Sequence, residues 1–490
     1  MIFRIITKQY FWLLLILIGA FYVRLYRLDA PLADWHSWRQ ADTAAVTRNF
    51  VKLGFNPLMP KYDDMSGVSE HPLANPTRFR FVEFPIYNMI VYPFYSFLGI
   101  NIVYDRLVSI FFSLWSLVFV YLITRRYTDS FVAIVAAFIF AFLPYNVYFS
   151  RTILPEPTFV FFALGMLYFV DRWIREKGLR LLLISLIFTA IAYLIKPWAI
   201  FFSLPLLVSF YNREKKIWPI PMRYWIFVFF ALAPFMLWRF WILQQPEGIP
   251  ASNWLLNGDG IRFRPAFFWW IISERIGREI LGAAGAILFY IGIIIKPKSS
   301  YFLHAWLLSA FLFMIVVATG NVRHDYYQIS FIPIASVFTA LGFSYLLRGN
   351  YAFIARAWTI PIAVLFFVLM FYFGWLQVKG LYQINNPVII EAGKKADHIL
   401  PKEAVVVAPY NGDTAFLYQV NRPGWPVVAL PLADLIQEYG VTAYVSTTKD
   451  AKTAWVMRHF KTLENNSNLV IVDLTKIEKP MTSKDPEPSQ

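Results

Sequence analysis

Four polar segments, separated by long apolar runs, hold the side chains most suited to chemistry. The first contains Asp34, His36, Arg39 and Asp42 within ADWHSWRQADTAAVTRNF, and Glu83 follows it in FVEFPIY. The other three contain Arg151 and Glu156 in SRTILPEPTF, Lys196 in IKPW, and Arg323, His324, Tyr326 and Tyr327 in GNVRHDYYQ. Carboxylates, cations and aromatic rings therefore recur together in the short polar parts of this chain.

Such a mixture suits the transfer of a group from a lipid-linked phosphate. The acceptor hydroxyl needs a general base, which a carboxylate can supply. The departing phosphate needs cationic stabilisation, which Arg or Lys can supply, as can a divalent metal ion held by Asp or Glu. A lipid donor would also explain why the polar segments border apolar runs.

Each residue has a structural alternative when it is considered alone. Arg39 and Asp42 are three residues apart and could form an ordinary ion pair on a helix surface. Lys196 could extend to lipid head groups. The remaining alternatives are a helix cap for Glu156, an ordinary loop position for His324, and interfacial anchoring for Tyr326 and Tyr327. The joint pattern favours a site, because independent interfacial residues have no reason to place carboxylates on three outer loops.

The composition indicates that these segments are held by a polytopic membrane protein. Of the 490 residues, 58% are hydrophobic and 15% are charged, and the mean hydropathy is +0.51. Soluble domains have about 45–50% apolar and about 25% charged residues, so an ordinary soluble enzyme and a disordered chain are excluded. The net charge of +15 is spread in short clusters between apolar runs, which is typical of membrane loops and argues against a nucleic-acid-binding domain. The absence of cysteine excludes disulfides and thiolate chemistry.

Eleven apolar runs are candidates to cross about 30 Å of hydrocarbon. The first has no small-residue cleavage motif, so we expect a retained helix and not a signal peptide. The predicted crossings lie at about 9–25, 105–124, 131–149, 158–173, 180–195, 197–211, 223–243, 280–296, 301–319, 328–347 and 355–376.

A twelfth run, 84–100, is short and contains Pro85 and Pro93. If it does not cross, the basic clusters at 125–126, 172–180, 213–223, 296–298 and 348–356 all lie on one side with the N-terminus. The enrichment of Lys and Arg in short cytoplasmic loops favours this topology. We therefore predict that 84–100 is interfacial and that the C-terminus is exterior.

The expected fold is a polytopic α-helical membrane protein with a small C-terminal α/β domain. The membrane domain is predicted to be 1–376, with exterior loops at 26–104 and 244–279. Strand-like and helix-like runs alternate in 377–477, which predicts an exterior α/β domain. The last stretch, 478–490, is polar and contains proline, so we expect it to be disordered.

Several strings, in their order and spacing, resemble the polyprenyl-phosphate-sugar-dependent membrane glycosyltransferases of the GT-C fold. The similarity is to family-39-like bacterial enzymes related to protein O-mannosyltransferases and lipid A aminoarabinose transferases, and it covers about residues 8–347. The strings are HSWRQADTAAVTRNF (36–50), EFPIY (83–87), YDRL (104–107), SRTILPEP (150–157), KPW (196–198) and HDYYQISFIPIA (324–335).

The resemblance implies a catalytic acid in the first exterior loop, commonly in an Asp-Glu pair before an Arg. Here His36 and Ser37 occupy that place before Arg39. Asp42 is favoured as the general base because it would share a helix face with Arg39, and Asp34 is the alternative.

The resemblance also implies roles for residues outside the first segment. Glu156 matches the acid of the second exterior loop, and Lys196 matches a lysine that meets the lipid phosphate. Glu83 matches a metal ligand, although the histidine that would accompany it falls near Arg275. We also expect substrate or lipid-phosphate contacts from the remaining polar residues, namely Arg39, Arg151, Arg323, His324, Tyr326 and Tyr327.

The predicted function is that of an inverting integral-membrane glycosyltransferase in a bacterial inner membrane, acting on its periplasmic side. The donor would be a sugar on an undecaprenyl-type phosphate, and the acceptor lipid A, a glycan or a protein. A lipid-linked sugar flippase is the alternative, and it would be expected to show inverted repeats and ionisable residues at mid-bilayer. A polymerase or ligase of surface glycans is a further alternative that uses a similar donor. No nucleic-acid partner is expected.

Overall fold

The computed structural model describes residues 2–70, 74–296, 300–349, 355–480 and 485–488. Most of this chain is helical. The α-helices are α1 (Ile2–Arg24), α2 (Ser37–Leu53), α3 (Ile86–Leu98), α4 (Ile102–Tyr127), α5 (Ser130–Phe142), α6 (Pro144–Phe149), α7 (Glu156–Glu176), α8 (Leu179–Ile195), α9 (Leu204–Glu214), α10 (Met222–Ile242), α11 (Trp254–Asn257), α12 (Pro265–Trp269), α13 (Ala284–Ile294), α14 (Phe302–Val316), α15 (Ala318–Arg323), α16 (Ile332–Arg348), α17 (Arg356–Val378), α18 (Val388–Ile399), α19 (Thr414–Val420), α20 (Leu432–Tyr439) and α21 (Ala451–His459). Short 3-10 helices lie at Pro197–Phe202, Pro246–Gly248, Gly258–Phe263, Asp325–Ser330 and Lys379–Tyr382, and a π-helix lies at Trp270–Ile280.

One five-stranded sheet is present in the described part of the tail. Its strands are β1 (Val406–Val407), β2 (Gly424–Trp425), β3 (Ala443–Ser446), β4 (Phe460–Asn465) and β5 (Val470–Ile477). The spatial order is β2-β1-β3-β5-β4. β1 pairs in parallel with β2 and β3, whereas β5 pairs antiparallel with β3 and β4. The predicted fold class, a helical membrane protein with a small α/β domain, is thereby confirmed.

The chain divides into two compact units whose bounds differ from the predicted domains. The membrane unit comprises Met1–Leu28, Arg106–Phe240 and Ser252–Tyr382. The α/β unit comprises Asp29–Asp105, Trp241–Ala251 and Gln383–Gln490. The first predicted exterior loop therefore belongs to the same unit as the tail, whereas the prediction assigned it to the membrane domain.

In the membrane unit, helical structure occurs at every one of the eleven predicted runs. By length and composition, four described helices could each cross a membrane: Ile102–Tyr127, Glu156–Glu176, Met222–Ile242 and Arg356–Tyr382. The segments Pro265–Ile280 and Ala284–Ile294 would make a fifth span, bent by 118°. The other apolar helices are shorter, so the number of crossings stays a prediction.

Two predicted spans are interrupted for identifiable reasons. The run 131–149 is divided into α5 and α6, and Pro144 stands at the first position of α6, where its missing N–H costs no helical hydrogen bond. The run 197–211 begins as the 3-10 helix Pro197–Phe202 and continues as α9, which has only 11 residues. At 1.5 Å per residue α9 is about 16 Å long, roughly half the hydrocarbon thickness.

Helices α13 and α16 pack closely because glycine stands at their contact. A Cβ atom at Gly292 would lie 1.9 Å from the carbonyl oxygen of Phe338, and one at Gly342 would lie 1.8 Å from that of Leu288. Any larger residue would force the two backbones apart. Small residues at such crossings are typical of helix packing within a bilayer, where close van der Waals contact replaces the hydrophobic effect.

In the α/β unit, the sheet has an apolar core on each face. One face packs Val406, Val445 and Ile471 against α18 and α19, and the other packs Tyr444 and Val472 against α20 and α21. The alternation of Ile471 and Val472 between the two cores follows the two-residue period of a strand.

The first loop joins this sheet through its backbone. The N–H of Gly424 donates to the carbonyl of Asp63 at 2.9 Å, and the N–H of Met65 donates to the carbonyl of Gly424 at 2.8 Å. These two bonds extend the sheet beyond β2 and explain why the loop and the tail form one unit.

Helix α3 occupies the ambiguous run 84–100. It has 13 residues and is about 20 Å long, too short to cross the hydrocarbon. Its outer surface exposes Phe94, Phe97 and Leu98, and the Phe97 side chain is 86% exposed. A short helix with exposed aromatic and aliphatic side chains agrees with the predicted interfacial segment, and the topology itself stays a prediction.

Part of the C-terminal stretch contacts the α/β unit. Both carboxylate oxygens of Glu487 accept from the N–H of Leu432 at 3.0–3.1 Å, and the indole N–H of Trp455 donates to the carbonyl of Asp485 at 3.0 Å. Asp485 and Glu487 therefore contact the α/β unit, and the disorder of 478–490 stays a prediction. Residues 481–484 and 489–490 lie outside the described part of the chain.

Candidate active site

Helix α2 is polar in sequence and yet almost completely buried in the α/β unit. It begins after His36, which has a left-handed conformation at φ 54° and ψ 38°. Arg39, Asp42 and Arg48 are all at least 95% buried. The alternative of an ordinary surface ion pair is therefore wrong for Arg39 and Asp42. Burial of so many charged groups requires partners for them, and the neighbouring loops supply these partners.

Asp42 lies between a cation and a hydroxyl. The Arg80 guanidinium is 2.9 Å from its Oδ2, and the hydroxyl of Thr414 donates to its Oδ1 at 2.7 Å. Burial raises the pKa of Asp42, while Arg80, Thr414 and Arg39 act in the opposite direction. The result is a carboxylate that is a stronger base than usual, held in place by the first loop and by α19.

Arg39 makes a different ion pair from the one that its spacing suggested. One of its terminal nitrogens donates to both carboxylate oxygens of Glu83 at 2.8 Å. The sequence suggested Arg39 as the cation beside Asp42. In the structure that cation is Arg80, and Arg39 binds Glu83. Arg39 still influences Asp42 electrostatically, as a more distant charge.

The arrangement around Glu83 does not fit the predicted metal ligand. Both of its oxygens are engaged by Arg39. Across the described ranges, no group of three or more His, Asp or Glu side chains is placed to hold a metal ion. Arg275, near the place of the accompanying histidine, pairs with Glu279 at 2.5 Å in the membrane unit. We derive no step through a metal.

Asp34, the alternative base, is bound to a neutral group. The side-chain amide of Gln40 donates to its Oδ1 at 2.8 Å and also to the carbonyl of Trp35. This geometry closes the turn that precedes α2. The preference for Asp42 over Asp34 as the base stays a prediction.

Sequence reasoning missed further polar groups of this cluster. Arg80 and Thr414 carried no spacing signal, and Thr414 is separated from Asp42 by 372 residues. Asp64 is buried, and burial raises its pKa to about 6. Arg48 pairs with Asp63, to which Asn49 also donates at 3.0 Å. Only the fold brings these groups to one helix.

In the membrane unit, Glu156 and Lys196 form a second buried cluster. Glu156 opens α7, Lys196 lies in extended conformation between α8 and the following 3-10 helix, and the amine is 3.1 Å from Oε1. Both residues are 5% exposed. The Lys196 amine also lies 6.0 Å from the centre of the Tyr327 ring. Burial argues against the alternative in which Lys196 extends to head groups.

The Arg151 side chain binds backbone carbonyls of the segment that follows α1. Its guanidinium donates to the carbonyls of Tyr26 and Arg27 at 2.9 and 2.7 Å. The same group lies 4.8 Å from the centre of the Tyr382 ring. These contacts tie the segment before α7 to the end of α1, so a phosphate contact for Arg151 stays a prediction.

The segment 323–327 divides into an aromatic and an exposed part. The rings of His324, Tyr326 and Tyr327 lie 5.1–5.5 Å apart, and Tyr326 is 2% exposed. Arg323, in contrast, has a side chain that is 57% exposed and pairs with Asp259 at 3.1 Å. Tyr327 thus lies beside Lys196, whereas Arg323 forms a surface ion pair.

Comparison with known proteins supports one fold. Residues 84–241 match a family model described as dolichyl-phosphate-mannose-protein mannosyltransferase. ArnT from Cupriavidus metallidurans, solved bound to undecaprenyl phosphate, is 12% identical, with a TM-score of 0.65 over 94% of this chain and 97% of ArnT. The oligosaccharyltransferase AglB from Archaeoglobus fulgidus, solved with an inhibitory peptide and a dolichol phosphate, is also 12% identical, with a TM-score of 0.53 over 89% and 69%. No curated protein matches by sequence. The chain therefore has the GT-C fold of these membrane proteins, and the resemblance inferred from its sequence is confirmed.

Proposed function

We propose that this protein is an integral-membrane glycosyltransferase that takes a sugar from a polyprenyl-phosphate carrier and transfers it to an acceptor hydroxyl. The observation that carries the proposal is the buried Asp42 carboxylate, oriented by Arg80 and Thr414 and made more basic by burial. The undecaprenyl phosphate bound to ArnT and the dolichol phosphate bound to AglB support a lipid phosphate as the carrier.

The proposed reaction is a single displacement. Asp42 removes the proton from the acceptor hydroxyl, and the hydroxyl oxygen attacks the anomeric carbon. The bond between that carbon and the phosphate oxygen breaks, and its electron pair leaves with the polyprenyl phosphate. One displacement inverts the configuration at the anomeric carbon.

Each neighbour of Asp42 has a proposed part in this step. Arg80 keeps the carboxylate ionised in a buried place, where a carboxyl alone would tend to hold its proton. Thr414 donates to Oδ1 and, together with Arg80 at Oδ2, would fix the orientation of the carboxylate. Glu83 is the partner that holds Arg39, and this pair would set the position of α2 against the first loop.

For the donor phosphate we propose Lys196. A lysine is a compact point charge that binds a phosphate without a fixed geometry. Glu156, 3.1 Å from the amine, would hold the Lys196 side chain in position before the donor arrives. Tyr327 and His324 would line the same place through their rings.

We further propose a bacterial inner-membrane location with the α/β unit on the periplasmic side. The distribution of Lys and Arg among the short loops supports this orientation. A reporter enzyme that is active only in the periplasm should be active when it is fused after Leu474. Activity of a reporter that works only in the cytoplasm, fused at the same position, would overturn the orientation.

The activity is tested by incubating the purified protein in detergent with labelled undecaprenyl-phosphate sugars and candidate acceptors. We expect release of undecaprenyl phosphate together with label in the acceptor, and neither in the Asp42→Asn variant. A flippase would move the same donor without breaking its glycosidic bond. Carrier release therefore separates transfer from transport. Movement of the donor across the membrane of proteoliposomes that contain the protein, without carrier release, would reject the proposal.

A further inference from the structure

A cavity of about 890 Å³ lies among α7, α8, α9 and α10 in the membrane unit. Its wall is mostly apolar. The lining includes Met166, Val170 and Trp173 on α7, and Phe227 and Val228 on α10. The sequence analysis did not anticipate this cavity, and the proposed reaction does not use it.

The short helix α9 lines the cavity along most of its length, from Leu204 to Asn212. Its Leu207 lines the cavity and is 61% exposed. α10 is long enough to cross, but only 22% of its most apolar window is buried. An apolar space beside a helix of this kind would be occupied by lipid chains in a bilayer.

One end of the cavity is polar and basic. Lys296, Asn212 and Ser300 line it, and the side-chain amide of Asn212 donates to the hydroxyl of Ser300 at 3.0 Å. This bond joins the end of α9 to the segment before α14. The neighbouring sequence contains four basic residues and one acidic residue. The basic residues are Arg213, Lys215, Lys216 and Arg223, and the acidic residue is Glu214. The excess of positive charge indicates an anionic ligand.

The depth of the cavity matches one leaflet. On α10 the lining residues run from Tyr224 to Leu232, and on α7 from Met166 to Ile174. Each interval corresponds to about 12 Å of helix, within the half of that helix nearest the basic residues. The acyl chains of a glycerophospholipid have this reach, whereas a long polyprenyl chain would extend beyond it.

We propose that this cavity binds an anionic diacyl glycerophospholipid, with the phosphate at Lys296 and the acyl chains between α7 and α10. The lipid would complete the packing of α10, whose cavity side otherwise meets empty space. This inference does not depend on the proposed transfer reaction, because it uses none of the residues of the two acid–base clusters.

The test uses the full-length protein in detergent and native mass spectrometry. Phosphatidylglycerol, phosphatidylethanolamine with the same acyl chains, and undecaprenyl phosphate are titrated separately and in competition. We expect one phosphatidylglycerol per chain, bound more tightly than phosphatidylethanolamine. Lys296→Gln should weaken this binding about fivefold, the value of one basic residue near an anionic lipid. Leu207→Trp, which places a larger side chain in the cavity, should weaken both phospholipids.

Arg180→Gln is the matched control, because Arg180 is an exposed base on the second residue of α8 and does not line the cavity. It should bind phosphatidylglycerol as the wild type does. Equal binding of the two phospholipids, or equal losses in Lys296→Gln and Arg180→Gln, would overturn the proposal. Displacement of phosphatidylglycerol by undecaprenyl phosphate at one-to-one stoichiometry would also overturn it and assign the cavity to the carrier chain.

Discussion

Helices α2 and α8 each have 17 residues, and they show opposite relations between polarity and burial. In α2, twelve residues are buried, among them Arg39, Asp42 and Arg48. In α8, which is almost wholly apolar, the buried residues are Ser185, Thr189, Ala192 and Ile195. The apolar side chains Leu183 and Ile187 of α8 are 50% and 56% exposed. An apolar helix thus turns its side chains outward, whereas the polar helix is enclosed.

The difference in burial between α2 and α8 indicates which of the two helices needs an explanation beyond the bilayer. Outward-facing apolar residues are stable in lipid, so exposure of α8 needs no explanation beyond the bilayer. Enclosure of α2 is expensive unless every charge is paired. The partners of Asp42 come from distant parts of the α/β unit, namely Arg80 and Thr414. Four groups of substitutions test whether buried charged groups matter more for activity than exposed ones.

The largest effect is expected from Asp42→Asn. Removal of a general base typically lowers the rate by about 10²–10⁴-fold. We expect this loss in sugar transfer, with little change in donor binding. Asp34→Asn, measured in the same preparation, is the comparison variant, because Asp34 is the alternative base. If Asp34→Asn were inactive and Asp42→Asn active, the base would be Asp34.

The next largest effect is expected at the Lys196–Glu156 pair. Loss of a charged hydrogen-bonding group is worth about 1.5–3 kcal/mol, or roughly 10–150-fold. Lys196→Ala should raise the KM for the donor within this range, and Lys196→Arg should be partly tolerated. Glu156→Gln should lower transfer by leaving Lys196 without its carboxylate. An unchanged donor KM in Lys196→Ala would mean that the Lys196–Glu156 pair only stabilises the position of α7. Its role would then be structural, like that of the Arg151 contacts with the backbone after α1.

A smaller effect is expected from Thr414→Val. The lost hydrogen bond should lower transfer about fivefold, and Thr414→Ser should retain most activity. The hydroxyl lowers the pKa of Asp42, so its removal should raise that pKa further. Since activity needs the ionised carboxylate, it is lost as pH falls through the pKa. The acid limb of the pH–rate profile should therefore move to higher pH in Thr414→Val. An unmoved acid limb would separate Thr414 from the base.

The smallest effect is expected from Arg323→Ala. Its ion pair with Asp259 is exposed on both sides, and such pairs contribute at most about 1 kcal/mol. Transfer should fall less than about fivefold. A loss of activity as large as that in Lys196→Ala would support the substrate contact that the sequence suggested for Arg323.

How far the sequence predicted this molecule depends on the range of each interaction. The apolar runs and the alternation of the tail are local patterns, and they gave the helices and the sheet. Glu156 and Lys196 were both recognised, because each is a charge beside an apolar run. The partner of Asp42 was not recognised, since Arg80 and Thr414 reach it only through tertiary structure. The spacing of Arg39 and Asp42 suggested a pair, but Glu83 binds Arg39 with both oxygens.

The division into two compact units also depends on contacts between distant parts of the chain. The backbone hydrogen bonds of Gly424 with Asp63 and Met65 connect parts of the chain more than 350 residues apart. No local sequence pattern predicts them. The placement of Asp485 and Glu487 likewise depends on contacts with Trp455 and Leu432.

The central claim, direct displacement of a polyprenyl phosphate by a hydroxyl that Asp42 activates, is tested most directly by the configuration of the product. The wild-type protein would be given a polyprenyl-phosphate sugar of known anomeric configuration, and the transferred sugar would be analysed by NMR. The account predicts complete inversion, with formation of product dependent on Asp42. Retention of configuration, or inverted product formed equally well by Asp42→Asn, would contradict it.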